Sequence, residues 1–137
     1  ETSDNYSLQY SSLQDNDVYG SGEAYYYFIF PNNMLNILPG RIQTNLVLPI
    51  SKNQSLVIFD YYFDDITSSD SVKRIEKDIK FSDEVQQEDI MICEKVQKGL
   101  ESKGYDKGRF SPMKEMGVYH FQALLKSFYT KVSNHFT

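Results

Sequence analysis

The 137-residue chain contains no tryptophan and a single cysteine, Cys93. One cysteine closes no internal disulfide and builds no zinc or iron–sulfur site, so a reducing, cytoplasmic setting is the default expectation. No apolar run reaches the roughly 18 residues of a membrane-spanning helix, and no signal-peptide pattern opens the sequence. A glycine-rich phosphate loop, a CxxC pair, an HExxH motif and a nucleophile elbow are all missing. Cations are outnumbered, 14 Lys and Arg against 19 Asp and Glu, for a net charge of -5. Neither nucleic acid nor an anionic membrane is therefore expected as a partner. No initiator Met precedes Glu1, and the polar, loop-like residues that follow it lead us to expect the edge of a larger protein.

Aromatic residues are abundant, with 11 Tyr and 9 Phe in a chain that is 40% hydrophobic. That load suits a sheet with a large apolar face and argues against disorder. Residues 1–22 are rich in Ser, Asp, Asn and Gly and read as a loop-like edge, with one weak strand over Tyr6–Tyr10. Residues 23–65 alternate in short runs, "EAYYYFIFP", "MLNIL", "RIQTNLVLPI" and "SLVIFDYYFDD". They are separated by the turn signals Pro31-Asn32-Asn33, Pro39-Gly40 and "SKNQ". Connections this short predict an antiparallel meander.

From Ser69 the apolar period changes from 2 to about 3.6. A long helix is predicted over residues 69–103, capped by Asp70 or Ser69 and closed by Gly104. Its two stripes, Val72-Ile75-Ile79 and Val85-Ile92-Val96-Leu100, are offset, so the helix either curves or breaks at Ser82-Asp83. A loop, "YDKGRFSPMKEMG", leads to a last helix over residues 116–133 with Val118, Phe121, Leu124, Leu125, Phe128 and Val132 on one face. The fold class is α+β, in one domain.

One residue breaks the pattern. At about 100° per residue, Asp89 falls within the stripe of Val85, Ile92, Val96 and Leu100. An ionised carboxylate in a buried stripe needs a compensating charge, a metal or several hydrogen bonds. A structural Asp satisfied by a cation or backbone N–H groups is one reading, and a metal ligand or acid–base group is the other. Glu88 is adjacent but diverges by about 100° on a helix, so the two carboxylates do not converge well. His120 and His135 invite a two-histidine, one-carboxylate metal triad. However, His120 sits beside the apolar stripe of the last helix and His135 beyond its end. Cys93, one turn after Asp89, reads as a small buried thiol filling the core. The run Tyr25-Tyr26-Tyr27-Phe28 has the composition of a cage for a cation, but alternation sends half of it into the core.

The strings "FPNNMLNILPGRIQTNLVLPI", "VIFDYYF", "VQQEDIMICEKVQKGLESKGYDKGRFSP" and "GVYHFQALL", in this order over roughly residues 24–128, resemble the catalytic domain of Rieske-type ring-hydroxylating oxygenase α subunits. The similarity is greatest to the choline and carnitine monooxygenase branch. The resemblance implies a helix-grip, START-like fold. It makes Asp89 the carboxylate ligand of mononuclear Fe(II), with Glu88 orienting a ligand from beside it. It also implies a substrate pocket lined by inward-facing strand residues. The two iron-binding histidines and the ligands of the Rieske [2Fe–2S] cluster belong upstream in this family, and no His-x-x-x-x-His motif occurs here. Gln122 stands where many relatives carry a second histidine, outside the iron triad.

The expectation is thus the C-terminal part of an α subunit, inactive and without bound cofactor by itself. In the complete enzyme, the resemblance implies O2, an aromatic or quaternary-amine substrate, an electron-donating reductase and further α subunits in a trimer. Two other readings stay open, a START-like small-ligand-binding module without redox chemistry and a decayed gene remnant.

Overall fold

The computed structural model describes residues 1–15, 19–102 and 104–133. Its elements run β1 (Tyr6–Leu13), β2 (Gly22–Ile29), β3 (Asn33–Leu38), β4 (Arg41–Ser51), β5 (Gln54–Phe63), α1 (Ser69–Glu101) and α2 (Met116–Ser133). They group into two compact units. One runs Glu1–Asp64 and resumes at Phe110, and the other is Asp65–Arg109.

In the first unit the five strands form one antiparallel sheet in sequence order, the predicted meander. The hairpin joining β3 to β4 shows how tightly local residues fix it. Leu38 pairs with Arg41, leaving only Pro39 and Gly40 for the turn. Proline presets the first turn position, and Gly40 takes the left-handed conformation, φ 72°, that the second requires. Towards the amino terminus the sheet extends beyond expectation. β1 runs to Leu13 and pairs along its whole length with β2, Tyr6 opposite Ile29 and Leu13 opposite Gly22. Tyr6, Leu8 and Tyr10 alternate with Ser7 and Gln9, and beyond them the ladder to β2 carries the strand on through Ser11-Ser12-Leu13, where alternation lapses.

Pairing register defines the two faces of the sheet. One carries the rows Gln9–Tyr26–Asn36–Gln43–Tyr61 and Ser7–Phe28–Met34–Asn45–Phe59. α2 lies over its β1 end, where a Cβ on Gly117 would sit 3.5 Å from the Ser7 hydroxyl. Phe121 meets Phe28 edge-on at 5.2 Å and Phe30 at 6.2 Å, and Phe128 reaches Phe30 at 6.2 Å. Half of the predicted α2 stripe is engaged in this way. Phe121, Leu124 and Leu125 are half-buried, while Val118, Phe128 and Val132 stay exposed.

Alternation in β4 is as expected, but the covered side at its start is the polar one. Arg41 and Gln43 are buried and Ile42 is exposed. The Arg41 guanidinium lies 4.5 Å from the Tyr19 ring centroid and 5.6 Å from that of Tyr61, so aromatic faces take the place of water around the cation. The opposite face leaves Tyr10, Tyr25, Leu56, Ile58 and Tyr62 exposed.

The second unit is dominated by α1, 33 residues without a break at Ser82-Asp83. Its cap is Ser68, not Ser69 or Asp70. The Ser68 hydroxyl accepts from the Ser71 N–H at 3.2 Å and donates to Asp65 at 2.6 Å. The Asp65 carboxylate also accepts from the Thr67 N–H and hydroxyl, the Ser68 N–H and the Ser71 hydroxyl. These bonds, the Ser68 hydroxyl's foremost, hold its carboxyl well below the usual carboxylate range. Asp65 organises the entrance to the helix, so the chain does not need the later residues as caps. The helix ends at Glu101, three residues before the Gly104 stop read from sequence, and Ser102 donates its N–H and hydroxyl to Gly99.

Candidate functional site

The residues singled out by sequence lie on both units. Asp89 sits in the interior of α1 and is exposed, as are its stripe companions, Ile92 at 58% and Val96 at 54%. The expectation of a buried Asp89 is therefore not met. No hydrogen bond or ion pair holds its carboxylate among the described residues. Glu88 and Cys93 are likewise exposed, so Cys93 fills no core here. The least exposed side of α1 is a polar one, Ser71, Ile75, Asp78, Ser82 and Gln86, with Asp78 only 6% exposed. Sequence reasoning missed Asp78, although the heptad spacing Ser71, Asp78, Val85, Ile92 was there to be read. Asp78 and Asp89 differ by about 20° around the helix axis. On one helical face Asp78 is buried and Asp89 exposed.

His120 lies on α2, half-buried, its Nε2 sealed from solvent without a hydrogen-bond partner. His135 falls outside the described residues. Among the described residues no three His, Cys, Asp or Glu side chains come together to hold a metal.

The first unit has a cleft of its own, about 840 Å³, within the size range of small-molecule sites. Tyr26, Phe28 and Phe121 line it with the thioethers of Met34, Met113 and Met116, and Asn36 and Asn45 bring amides. Of the aromatic run, Tyr26 and Phe28 share the α2-covered face, whereas Tyr25 points to the other and is exposed. The two asparagines do not stand out in the sequence. Their signal is the alternation of Gln43 and Asn45 in β4, polar residues on a face that the neighbouring strands fill with Tyr26, Phe28 and Met34.

An antiparallel meander in sequence order followed by two helices, with an aromatic cleft on the sheet, defines an α+β fold. Residues 5–131 match the ring hydroxylating alpha subunit (catalytic domain) family, and the chain belongs to that family. Over 103 residues, 75% of this chain and 24% of the relative, it is 45% identical to the chloroplastic choline monooxygenase of Arabidopsis thaliana. The carnitine monooxygenase oxygenase subunit of Escherichia coli K12 is 29% identical over 88% of this chain and 36% of its own length. Among solved structures, the quaternary ammonium Rieske monooxygenase CntA, crystallised with an inhibitor, superposes with a TM-score of 0.76. The match covers 93% of this chain and 38% of that one, at 25% identity. The chain spans about a quarter to a third of the curated relatives it matches. No helix among the described residues is long and apolar enough to cross a membrane.

Proposed function

We propose that this chain serves within a complete oxygenase α subunit that hydroxylates a quaternary amine, and that Asp89 is the carboxylate ligand of its mononuclear Fe(II). The observation that carries the reading is the open, unpartnered Asp89 carboxylate on α1 of a chain belonging to this family. Bound iron would supply the site of reductive O2 activation, with electrons from a reductase by way of a Rieske [2Fe–2S] cluster. The residues of this chain act around that chemistry. Asp89 contributes one negative charge and one coordination position, Glu88 orients a ligand from the adjacent position, and the cleft of the first unit holds substrate. Its rings and thioethers present negative faces and polarisable surface, which suit an ammonium carrying methyl groups. Other α subunits complete the assembly.

Metal analysis of the complete α subunit tests the assignment. Asp89→Ala should lose the mononuclear iron and hydroxylation while the [2Fe–2S] absorption stays unchanged. Retention of that iron would overturn it.

One observation favours a second reading, a ligand-binding module without redox chemistry. The cleft is built entirely from residues of one unit of this chain. That reading predicts ligand binding and biological activity indifferent to Asp89.

A further inference from the structure

The floor of the cleft carries a polar device whose orientation is fixed by a buried neighbour. Asn36 and Gln43 are directly opposite on β3 and β4, and Asn45 follows Gln43 by two residues on the same face. Directly paired side chains touch and diagonal ones stand about 7–8 Å apart, so the three amides form one patch. Gln43 is 6% exposed and donates from Nε2 to Asn45 Oδ1 at 2.8 Å. With Oδ1 turned to Gln43, Nδ2 is the end of the Asn45 amide on the far side from it, on a residue that lines the cleft. An amide held this way presents a donor, because a primary amide has one acceptor oxygen and one donor nitrogen.

We propose that Asn45, with Asn36 beside it, is a specificity-determining hydrogen-bond donor for an acceptor oxygen on the substrate, and that Gln43 is the positioning residue that fixes its polarity. The ligand class is a small quaternary ammonium compound bearing a carbonyl or comparable oxygen a few bonds from the nitrogen. The trimethylammonium end packs on Tyr26, Phe28 and Phe121, and the oxygen accepts from Asn45. This rests on the reading of the cleft as a quaternary-amine site. It adds to that reading which end of the substrate is recognised by the sheet, and through which atom.

The test titrates the 137-residue chain with acetonyltrimethylammonium and with isobutyltrimethylammonium. The pair are nearly isosteric and differ by an acceptor oxygen in place of a methyl group. Wild type should bind the ketone about tenfold more tightly, as expected for one hydrogen bond in a partly desolvated site. Asn45→Leu should abolish the preference. Asn45→Asp keeps the side-chain shape and the Gln43 bond but turns oxygen lone pairs towards the ligand, so it should reverse the preference, the ketone becoming the weaker ligand of the two. Gln43→Leu should shrink the preference several-fold with Asn45 intact, a change in discrimination that loss of packing alone would not produce. Binding of both compounds with an unaltered preference in Asn45→Leu and Asn45→Asp would overturn the proposal and leave the cleft assignment standing. Failure of wild type to bind either compound would overturn both.

Discussion

The two acidic residues of α1 that share a face make opposite predictions, and together they test the assignment of Asp89 without iron. Asp89 is exposed, and no hydrogen bond or ion pair engages it among the described residues. Its neighbours at three and four residues' distance are Val85, Gln86, Ile92 and Cys93, so no helical ion pair is lost on its removal. Alanine is favoured over aspartate in a helix interior by roughly 0.5–0.7 kcal/mol. Asp89→Ala should therefore leave the chain as stable as wild type, or more stable by up to about 0.7 kcal/mol. Asp78 is 6% exposed. It has a partner of its own, so truncating this buried polar side chain costs on the order of 2–3 kcal/mol. Urea unfolding followed by far-UV circular dichroism reads both variants in the same experiment. A loss above about 1 kcal/mol in Asp89→Ala would refute the reasoning. It would show Asp89 to be a structural residue with a partner of its own, the bland alternative to a metal ligand.

Three further outcomes follow from the fold. Gly40→Ala should destabilise the sheet by about 1–2 kcal/mol, because alanine at φ 72° is strained and its Cβ would meet the Asp64 carboxylate at 3.3 Å. Equal urea midpoints for alanine and glycine would contradict the turn assignment. Phe121→Ala should cost roughly 2 kcal/mol, less than a fully buried phenylalanine because the ring is half-buried. A double-mutant cycle with Phe28→Ala should return a coupling of about 0.5–1.5 kcal/mol for the edge-on pair, and zero coupling would mean that α2 does not rest on β2. The Asp65 carboxyl is held below its ordinary range by bonds present only in the folded state. Its contribution is complete above the unfolded value and is lost as pH falls through that range towards the depressed one. The helical signal should therefore weaken between about pH 5 and pH 2 in wild type, and more shallowly in Asp65→Asn.

Local chemistry predicts the sheet well wherever a residue's conformation is dictated by its nearest neighbours. Pro39-Gly40 admits one kind of turn, and the aromatic alternation of Tyr25 to Phe28 sets two faces whichever side is covered. β1 is legible only in part because its pairing energy resides in β2. Tyr6, Leu8 and Tyr10 alternate with Ser7 and Gln9 and mark its first half, whereas Ser11-Ser12-Leu13 is a strand because it pairs with Ala24, Glu23 and Gly22 of β2, which no window of its own sequence records. A similar dependence hides the cap of α1. Ser69 and Asp70 have the right side chains, but Asp65 gathers the residues before them. Thr67, Ser68 and Ser71 all bond to its carboxylate, and Ser68 is left in the capping position.

Periodicity reports which residues share a face, and it is silent on what covers that face. This is why pattern alone places Asp89 correctly on its stripe and wrongly inside a core. Apolar company implies burial only if something covers the stripe, and burial in turn implies the need for a partner. The first step fails here, since Val85, Ile92, Val96 and Leu100 are themselves exposed. What remains is a stronger form of the second. A helix that exposes four aliphatic side chains around one carboxylate presents an apolar surface with a single charge in it, and covering that surface would bury Asp89 unpaired. The desolvation cost of several kcal/mol would then oppose any partner element that brought neither a compensating cation nor several hydrogen-bond donors. On the proposed assignment, Fe(II) would supply that compensation, whereas an apolar covering segment would not. Whatever covers this face of α1 must therefore bring Asp89 a cation, a metal or several hydrogen bonds.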